Sequence, residues 1–417
     1  MKHILSAIDN SGCGNYRLLQ PVNCCIRDHG YHPDDFKLHI GSVFRWINRD
    51  DVETVTFQRR MAAHLRDCKA AQELGKLTVF ETDDFDIALP PSNPLWKVYQ
   101  QNGWIGDIKA LSNMCEAITV STPNLYDEYR TLFPQKPIEV IPNTIDLGDM
   151  MWNLPKGNRN TDRIVIGWAG SSTHREDLRI LSGIFSTLNS KYPDKIMFMM
   201  AGFTPKVHRA IQTEEGIKQI VVDATPEDED SWYGIIKPFS RLYRNIDDIR
   251  VLVKDTEVRK SKDKVFEFGE ERTIETFTGE PIQNWVLDDY PLQVLSALPF
   301  QLFPQVYRYP DIMVAPNIQS RFADSKSNLK VIEAWSYRLP VVASPIRPYR
   351  DTITQGENGF IAKNPKQFIK YLSQLIENKD MREEFGNDGR EQVEQNWNTT
   401  KECTHRFDWY DSLRKGG

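Results

Sequence analysis

Short apolar runs alternate with amphipathic stretches along this chain, and the alternation starts twice. HILSAI, KLHIGSV, VETVTF, KLTVFETDD, AITVST and IEVIPN form a first series, separated by stretches such as PVNCCIRDHG and the helix-like FQRRMAAHLRDCKAAQEL. Strand, then helix, then strand is the signature of a parallel sheet with crossover helices. A polar stretch, IPNTIDLGDMMWNLPKGNRNTD, reads as a linker. After it, RIVIGWAG, KIMFMMAGF, DIMVAP, LPVVAS and GFIA make a second series, with LRILSGIFSTLNSKY, SNLKVIEAWSYR and FIKYLSQLIEN as its helices. The pattern predicts an α/β chain of two Rossmann-like, doubly wound parallel-sheet domains, over residues 1–150 and 160–390. Residues 391–417 read as mostly helical. About 221–288 fits neither series, being acidic, then basic, then polar, and reads as an insertion with extra strands.

With 417 residues there is room for two or three domains, and a formal charge of −6 gives no overall basic field. A nucleic-acid partner would need a local patch. The six cysteines, Cys13, Cys24, Cys25, Cys68, Cys115 and Cys403, form no C-x-x-C pair and show no nearby histidine to complete a zinc quartet. They read as reduced thiols of a cytoplasmic protein. MKHILSAIDN reads as a first buried strand rather than a signal peptide, and no apolar run has the ~18 residues of a membrane span, so no integral membrane segment is expected.

The first strand is followed by SGCGNYRLLQP, with Gly12 and Gly14 placed as in a dinucleotide-binding G-x-G-x-x-G. Arg17 stands where the third glycine belongs, which argues against NAD. What remains is a tight turn at a cleft mouth with Arg17 aimed at an anion, or a plain strand-to-helix turn. FETDDFD puts Asp83, Asp84 and Asp86 at the carboxyl end of a strand. Asp84-Phe85-Asp86 can hold a divalent cation, Asp83 or Asp84 can serve as a base for an acceptor hydroxyl with Asp86 beside them, or the three form a solvated turn.

In the second series, IVIGWAGSSTHREDL places Gly170, Ser171, His174 and Arg175 after a strand, where backbone N–H groups and positive charge suit a phosphate. Helix capping by Ser/Thr is the competing explanation. In FADSKSNLKVIEAWSYRLPVVAS, a helix starting near Ser327 aims the N–H groups of Ser327, Asn328, Leu329 and Lys330 at the cleft, and its dipole favours an anion there. Lys326 and Glu333 then share a face ~10 Å apart, a spacing that suits phosphates at one end and a ribose diol at the other. The plain alternative is a surface Lys330–Glu333 ion pair.

The same stretch, followed by ITQGENGFIAKNPKQFIKYLSQLIENKDMREEFG, resembles the donor half of the group-one (GT4-like) glycosyltransferases of the GT-B fold. AITVSTPNL, IEVIPNTID, IGWAGSSTHREDL and DIMVAPNI extend the resemblance in the family's order over most of residues 76–400, the insertion apart. It implies two domains facing across a cleft, the acceptor on the first and a nucleotide-diphosphate sugar, as co-substrate, on the second. It also implies that the terminal helix returns to the first domain. Glu333 matches the second glutamate of the family's E-x7-E element, which binds donor ribose. The first falls at Ser325, so the sugar contact assigned to that carboxylate has no carboxylate here. Lys326, Ser327 and Asn328 match the stretch that holds the diphosphate, and His174 and Arg175 fall near the family's phosphate-binding cation.

The activity so implied is transfer of a sugar to an acceptor hydroxyl, retaining and without a metal or other cofactor. Lys326 and the helix N-terminus would stabilise the leaving phosphate; inversion would instead call on Asp83 or Asp84 as base. A glycan or glycoconjugate is the expected acceptor. Basic residues among aromatics in the insertion (Lys237, Phe239, Arg241, Tyr243, Arg244, then Arg259, Lys260, Lys262, Lys264) keep open a viral-type enzyme acting on hydroxymethylated pyrimidines in DNA. A non-catalytic sugar-nucleotide-binding protein is the third reading. Arg59, Arg60, Arg66 and Lys69 are expected on one solvated helix face.

Overall fold

The second start of the alternation is a second sheet. The computed structural model describes the chain except residues 9–11, 61–62, 94, 205, 214–215, 226–231, 233–234, 236–248, 253–258, 268–269, 279–284 and 416–417. The strands of the first domain are β1 (His3–Ala7), β2 (Phe36–Ile40), β3 (Thr54–Gln58), β4 (Leu77–Thr82), β5 (Ala117–Val120) and β6 (Ile138–Val140). They pair in the order β2-β1-β3-β4-β5-β6, every pair parallel.

The remaining strands are β7 (Asn158–Arg159), β8 (Ile164–Ala169), β9 (Ile196–Phe203), β10 (Lys206–Thr213), β11 (Gly216–Asp223), β12 (Ile249–Leu252), β13 (Arg259–Glu267), β14 (Glu270–Thr278), β15 (Val286–Leu287), β16 (Leu292–Ser296), β17 (Ile312–Ala315), β18 (Val341–Ala343) and β19 (Gly359–Ile361). Seven of these form the second parallel sheet, in the order β12-β16-β9-β8-β17-β18-β19. Helices cover both faces, so central strands such as β1 and β9 are buried along their whole length. This is why they read as continuous apolar runs rather than alternating ones.

The insertion begins earlier than its composition suggested. β10 and β11 already form a hairpin from Lys206, and β13 and β14 form another. β12, inside the expected insertion, joins the main sheet beside β16, so that strand belongs to the domain. Lys237, Phe239, Arg241, Tyr243 and Arg244 lie outside the described residues.

The helix Lys379–Asn396 continues past the expected boundary at 391 and stays with the second domain, beside the helix Leu329–Ser336. The chain then crosses back. Ile145 N–H donates to Trp397 O and Thr399 N–H to Ile145 O. The final helix, His405–Lys415, packs on the first sheet, Tyr410 Oη meeting Thr56 Oγ1 at 3.1 Å and the Phe407 ring lying 4.8 Å from that of His3. A glutamate in β4 anchors this return: Glu81, fully buried, accepts from Arg17 Nε at 2.6 Å and from Arg406 Nη1. The crossing also places Cys403 beside Cys24 and His29, their ligand atoms within 4.8 Å of one another. These three atoms do not make a zinc quartet, and Arg27 Nη2 reaches the same Cys24 Sγ at 3.7 Å.

Candidate active site

The carboxyl ends of β1, β4, β8 and β9 face one another across a cleft, where ligands of open α/β sheets are held. A cavity of about 440 Å³ lies there, with Gly12, Tyr16, Asp83 and Asp84 on its first-domain wall. Gly170, Ser171, His174, Lys326, Ser327, Leu329, Lys330 and Glu333 line the other. Ten residues singled out in the sequence, from two sheets and four loops, therefore meet in one place: Gly12, Asp83, Asp84, Gly170, Ser171, His174, Lys326, Ser327, Leu329 and Glu333.

The helix on the donor wall is Leu329–Ser336, starting two residues later than expected. Asn328 caps it without a side-chain bond of its own, its Nδ2 donating to Thr352 Oγ1 at 2.9 Å. Lys326 and Ser327 thus precede the helix, and Leu329 and Lys330 of its first turn line the cavity, while the N–H groups of Val331 and Ile332 are taken by Asn328 O. Lys330 and Glu333 are not a surface pair. Lys330 Nζ donates to Ala169 O at 2.7 Å, and burial lowers its pKa to about 8. Its ammonium sits where a Cβ on Gly170 would come within 2.8 Å, so the glycine makes room for the cation. Gly202, at φ +116, packs even more closely, a Cβ there falling 2.0 Å from Gly170 O.

Glu333 is 6% exposed. Burial raises its pKa above the ordinary carboxylate range, and two short hydrogen bonds from Tyr16 and Tyr307 act against that rise. His174 lies in the cavity but not as a cation: burial, with Lys330 nearby, lowers its pKa to about 4, and Nδ1 meets Asp177 Oδ2 at 2.8 Å. Neutral at pH 7, it serves as a hydrogen-bonding group, and Lys330 stands where the positive charge was expected.

On the opposite wall the aspartates are organised by Arg59. This residue follows β3 at φ +51, outside the helix expected to carry it, and donates to Asp83 Oδ1 at 2.7 Å and Asp84 Oδ2 at 2.6 Å. Asp86 Oδ2 lies 3.9 Å from the same guanidinium. The space a divalent cation would need between these carboxylates is filled by Arg59. Burial pushes Asp84 up, yet Lys326, 3.7 Å away, and Arg59 outweigh it and hold its pKa below the usual range. Asp86, buried beside two other carboxylates, is pushed up to about 6.

Besides Asn328, which also lies off the cavity wall, five sequence-read residues have other destinations. Arg17 is 1% exposed and turns from the cleft into the Glu81 pair, with Nη1 also on Asn143 Oδ1 at 3.0 Å, so its expected aim at an anion is corrected. Gly14 is buried in a helical segment rather than a tight turn. Ser325 is fully buried between the domains, accepting from Asn124 Nδ2 at 2.8 Å and donating to Arg321 O at 2.9 Å. Arg175 Nε donates to Glu176 Oε1 at 3.3 Å, away from the cavity wall. Asp86 lines a neighbouring cavity of about 240 Å³ with Arg59, Tyr99 and Trp104. Tyr16 and Tyr307 were not read from the sequence; Arg59 was read only as part of a solvated helix face, and Lys330 as a helix-start N–H or a surface partner of Glu333.

Two facing Rossmann-like domains with the site between them define the GT-B class of glycosyltransferase folds. Residues 293–392, which include the donor helix, match the family of glycosyl transferases group 1, and the resemblance read from the sequence holds. The trehalose synthase of Thermococcus litoralis is 27% identical over 129 residues, which is 30% of this chain and 30% of that protein; the Pyrococcus furiosus enzyme matches equally. The match thus spans under a third of those relatives' length. Among solved structures, a glycosyltransferase from Rickettsia africae superposes at TM-score 0.60 and 11% identity, covering 100% of this chain and 99% of that one. HepE of Anabaena in complex with UDP superposes at 0.58 and 11%, covering 99% and 100%.

Proposed function

We propose that this chain is a glycosyltransferase that moves a sugar from a nucleoside-diphosphate sugar to an acceptor hydroxyl, with retention, without a metal, on a glycan or glycoconjugate in the cytoplasm. One observation carries the reading: Lys326, Lys330 and a helix N-terminus share a cavity with the buried carboxylate Glu333. Breaking the anomeric bond leaves negative charge on the diphosphate. Two ammonium groups and oriented N–H dipoles in a partly water-excluded cleft stabilise that charge without reorganising. Glu333 suits a ribose diol at the other end.

Arg59 and Lys326 bear on the two finer points. By pairing with Asp84 and lying 3.9 Å from Asp86, Arg59 favours metal independence. By holding Asp84 ionised with a low proton affinity, the two cations make it a weak base, which favours retention with the leaving phosphate taking the acceptor proton. Among the described residues no helix is long and apolar enough to cross a membrane.

The test is thermal stabilisation by a panel of nucleotides and nucleotide sugars, with and without EDTA, beginning with UDP and UDP-glucose because HepE is solved with each. A shift with one nucleoside diphosphate that EDTA leaves unchanged supports the donor site. No shift with any of them overturns the transferase reading.

A further inference from the structure

Glu333 is gripped from both sides of the cleft. Tyr16 Oη, from the first domain, donates to Oε1 at 2.6 Å, and Tyr307 Oη, from the second, donates to Oε2 at 2.6 Å. Both tyrosines are buried, at 4% and 1% exposure. The Tyr16 ring also stands edge-on to Phe300 of the second domain, centroids 5.1 Å apart.

The local backbone makes this reach possible. Tyr16 lies in a π-helical turn, Asn15–Leu19, closed by Gln20 N–H donating to Asn15 O. Such wide turns recur at functional sites. Here the turn sends adjacent side chains to different partners: Arg17 goes into its own domain to Glu81, and Tyr16 goes across the cleft to Glu333. Gly12, just before it, lets the segment lie against Phe300, whose ring a Cβ would meet at 3.3 Å.

An ionised carboxylate offers about four lone-pair sites. Each tyrosine takes one, on a different oxygen, which leaves one on each oxygen of a carboxylate that lines the cavity. That arrangement is a bidentate acceptor, matched to two neighbouring O–H donors of a cis-diol. Resting on the donor reading above, we propose that Tyr16 is a positioning residue: with Tyr307 it fixes the Glu333 carboxylate so that both oxygens take the 2′- and 3′-hydroxyls of a ribonucleotide donor. Ribose recognition is then complete only when the first domain is closed on the second, and a 2′-deoxynucleotide forfeits one of the two bonds.

Calorimetric titration of the full chain with UDP, ADP and GDP, each against its 2′-deoxy counterpart, tests this in wild type, Tyr16→Phe, Glu333→Gln and the double variant, with ligand-free melting temperatures in parallel. Tyr16→Phe keeps the ring on Phe300 and removes only the hydroxyl. The expected result is about tenfold weaker binding of the ribonucleotide that wild type prefers, a ribo-to-deoxy ratio falling toward one, and a ligand-free melting temperature lowered only by the loss of one buried hydrogen bond. The double variant should bind no worse than Glu333→Gln. A Tyr16→Phe protein with wild-type affinity and wild-type ratio, beside a weakened Glu333→Gln, overturns this inference alone. If wild type binds none of the six, or Glu333→Gln binds as wild type does, the donor reading fails and this inference falls with it.

Discussion

Asp84 of the first domain and Lys326 of the second approach to 3.7 Å across the cleft. The carboxylate keeps the ammonium aimed into the cavity before any diphosphate arrives. Lys326→Ala is therefore expected to lower kcat by about a hundredfold, as loss of one preorganised donor to a developing oxyanion does. Asp84→Asn should impair transfer while nucleotide affinity is kept. Steady-state kinetics with both variants checks this; wild-type kcat in Lys326→Ala would remove it from the chemistry.

Glu333→Ala should weaken donor binding, and its effect on kcat/KM should appear mainly in the donor KM. The substitution also leaves the Tyr16 and Tyr307 hydroxyls without their acceptor, so a loss of stability of about 1–3 kcal/mol accompanies it. Unchanged turnover at subsaturating donor would refute the assignment.

Lys330 makes nucleoside-diphosphate binding depend on pH. Its pKa, lowered by burial to about 8, leaves it mostly charged below that value and neutral above it. A bound diphosphate favours the charged form, so affinity should be level below pH 8 and fall as pH rises through it. Binding above pH 8 should take up a proton. Titrations at several pH values in wild type and Lys330→Met check this, the variant losing the slope.

The linkage to folding has its own sign. Folding lowers the lysine from its ordinary value to about 8, so the unfolded chain binds the extra proton between those limits. This group's contribution to stability therefore improves as pH rises from about 8 toward the ordinary lysine range.

Arg17→Met is expected to act on stability rather than on anion binding. It strips one partner from a fully buried carboxylate, and breaking such a pair costs about 3–5 kcal/mol. Denaturant unfolding measures it. A folded variant of wild-type stability with reduced nucleotide affinity would return Arg17 to the cleft.

Ser325→Glu, which restores a carboxylate at that position, should not gain a sugar contact. The position is fully buried between Asn124 and Arg321 O, so the larger carboxylate side chain would lack space. A drop in melting temperature with no gain in kcat/KM is expected. Rescue of activity toward a new donor sugar would show the interdomain contact to be expendable.

Much of this was legible in local pattern. Apolar runs at strand length, separated by amphipathic helices and restarted after a linker, specify two parallel sheets because buried strands and crossover helices need those periods. Ser327, Lys326 and Glu333 could be placed at one helix start because charge and period are local signals. The interdomain use of Ser325 was not legible, since a serine beside a loop reads the same whether it faces a sugar or Asn124.

The sequence by itself determined the layering of the chain and the end of the second sheet that presents cations and a carboxylate. Only the tertiary structure decided that Arg59 fills the space between Asp83 and Asp84, that His174 is neutral, that Arg17 belongs to Glu81, and that Tyr16 reaches Glu333. Periodicity and capping act over a few neighbouring residues. Desolvation and charge pairing depend on which distant residues the fold brings within a few ångströms, and that information does not exist until the two domains close.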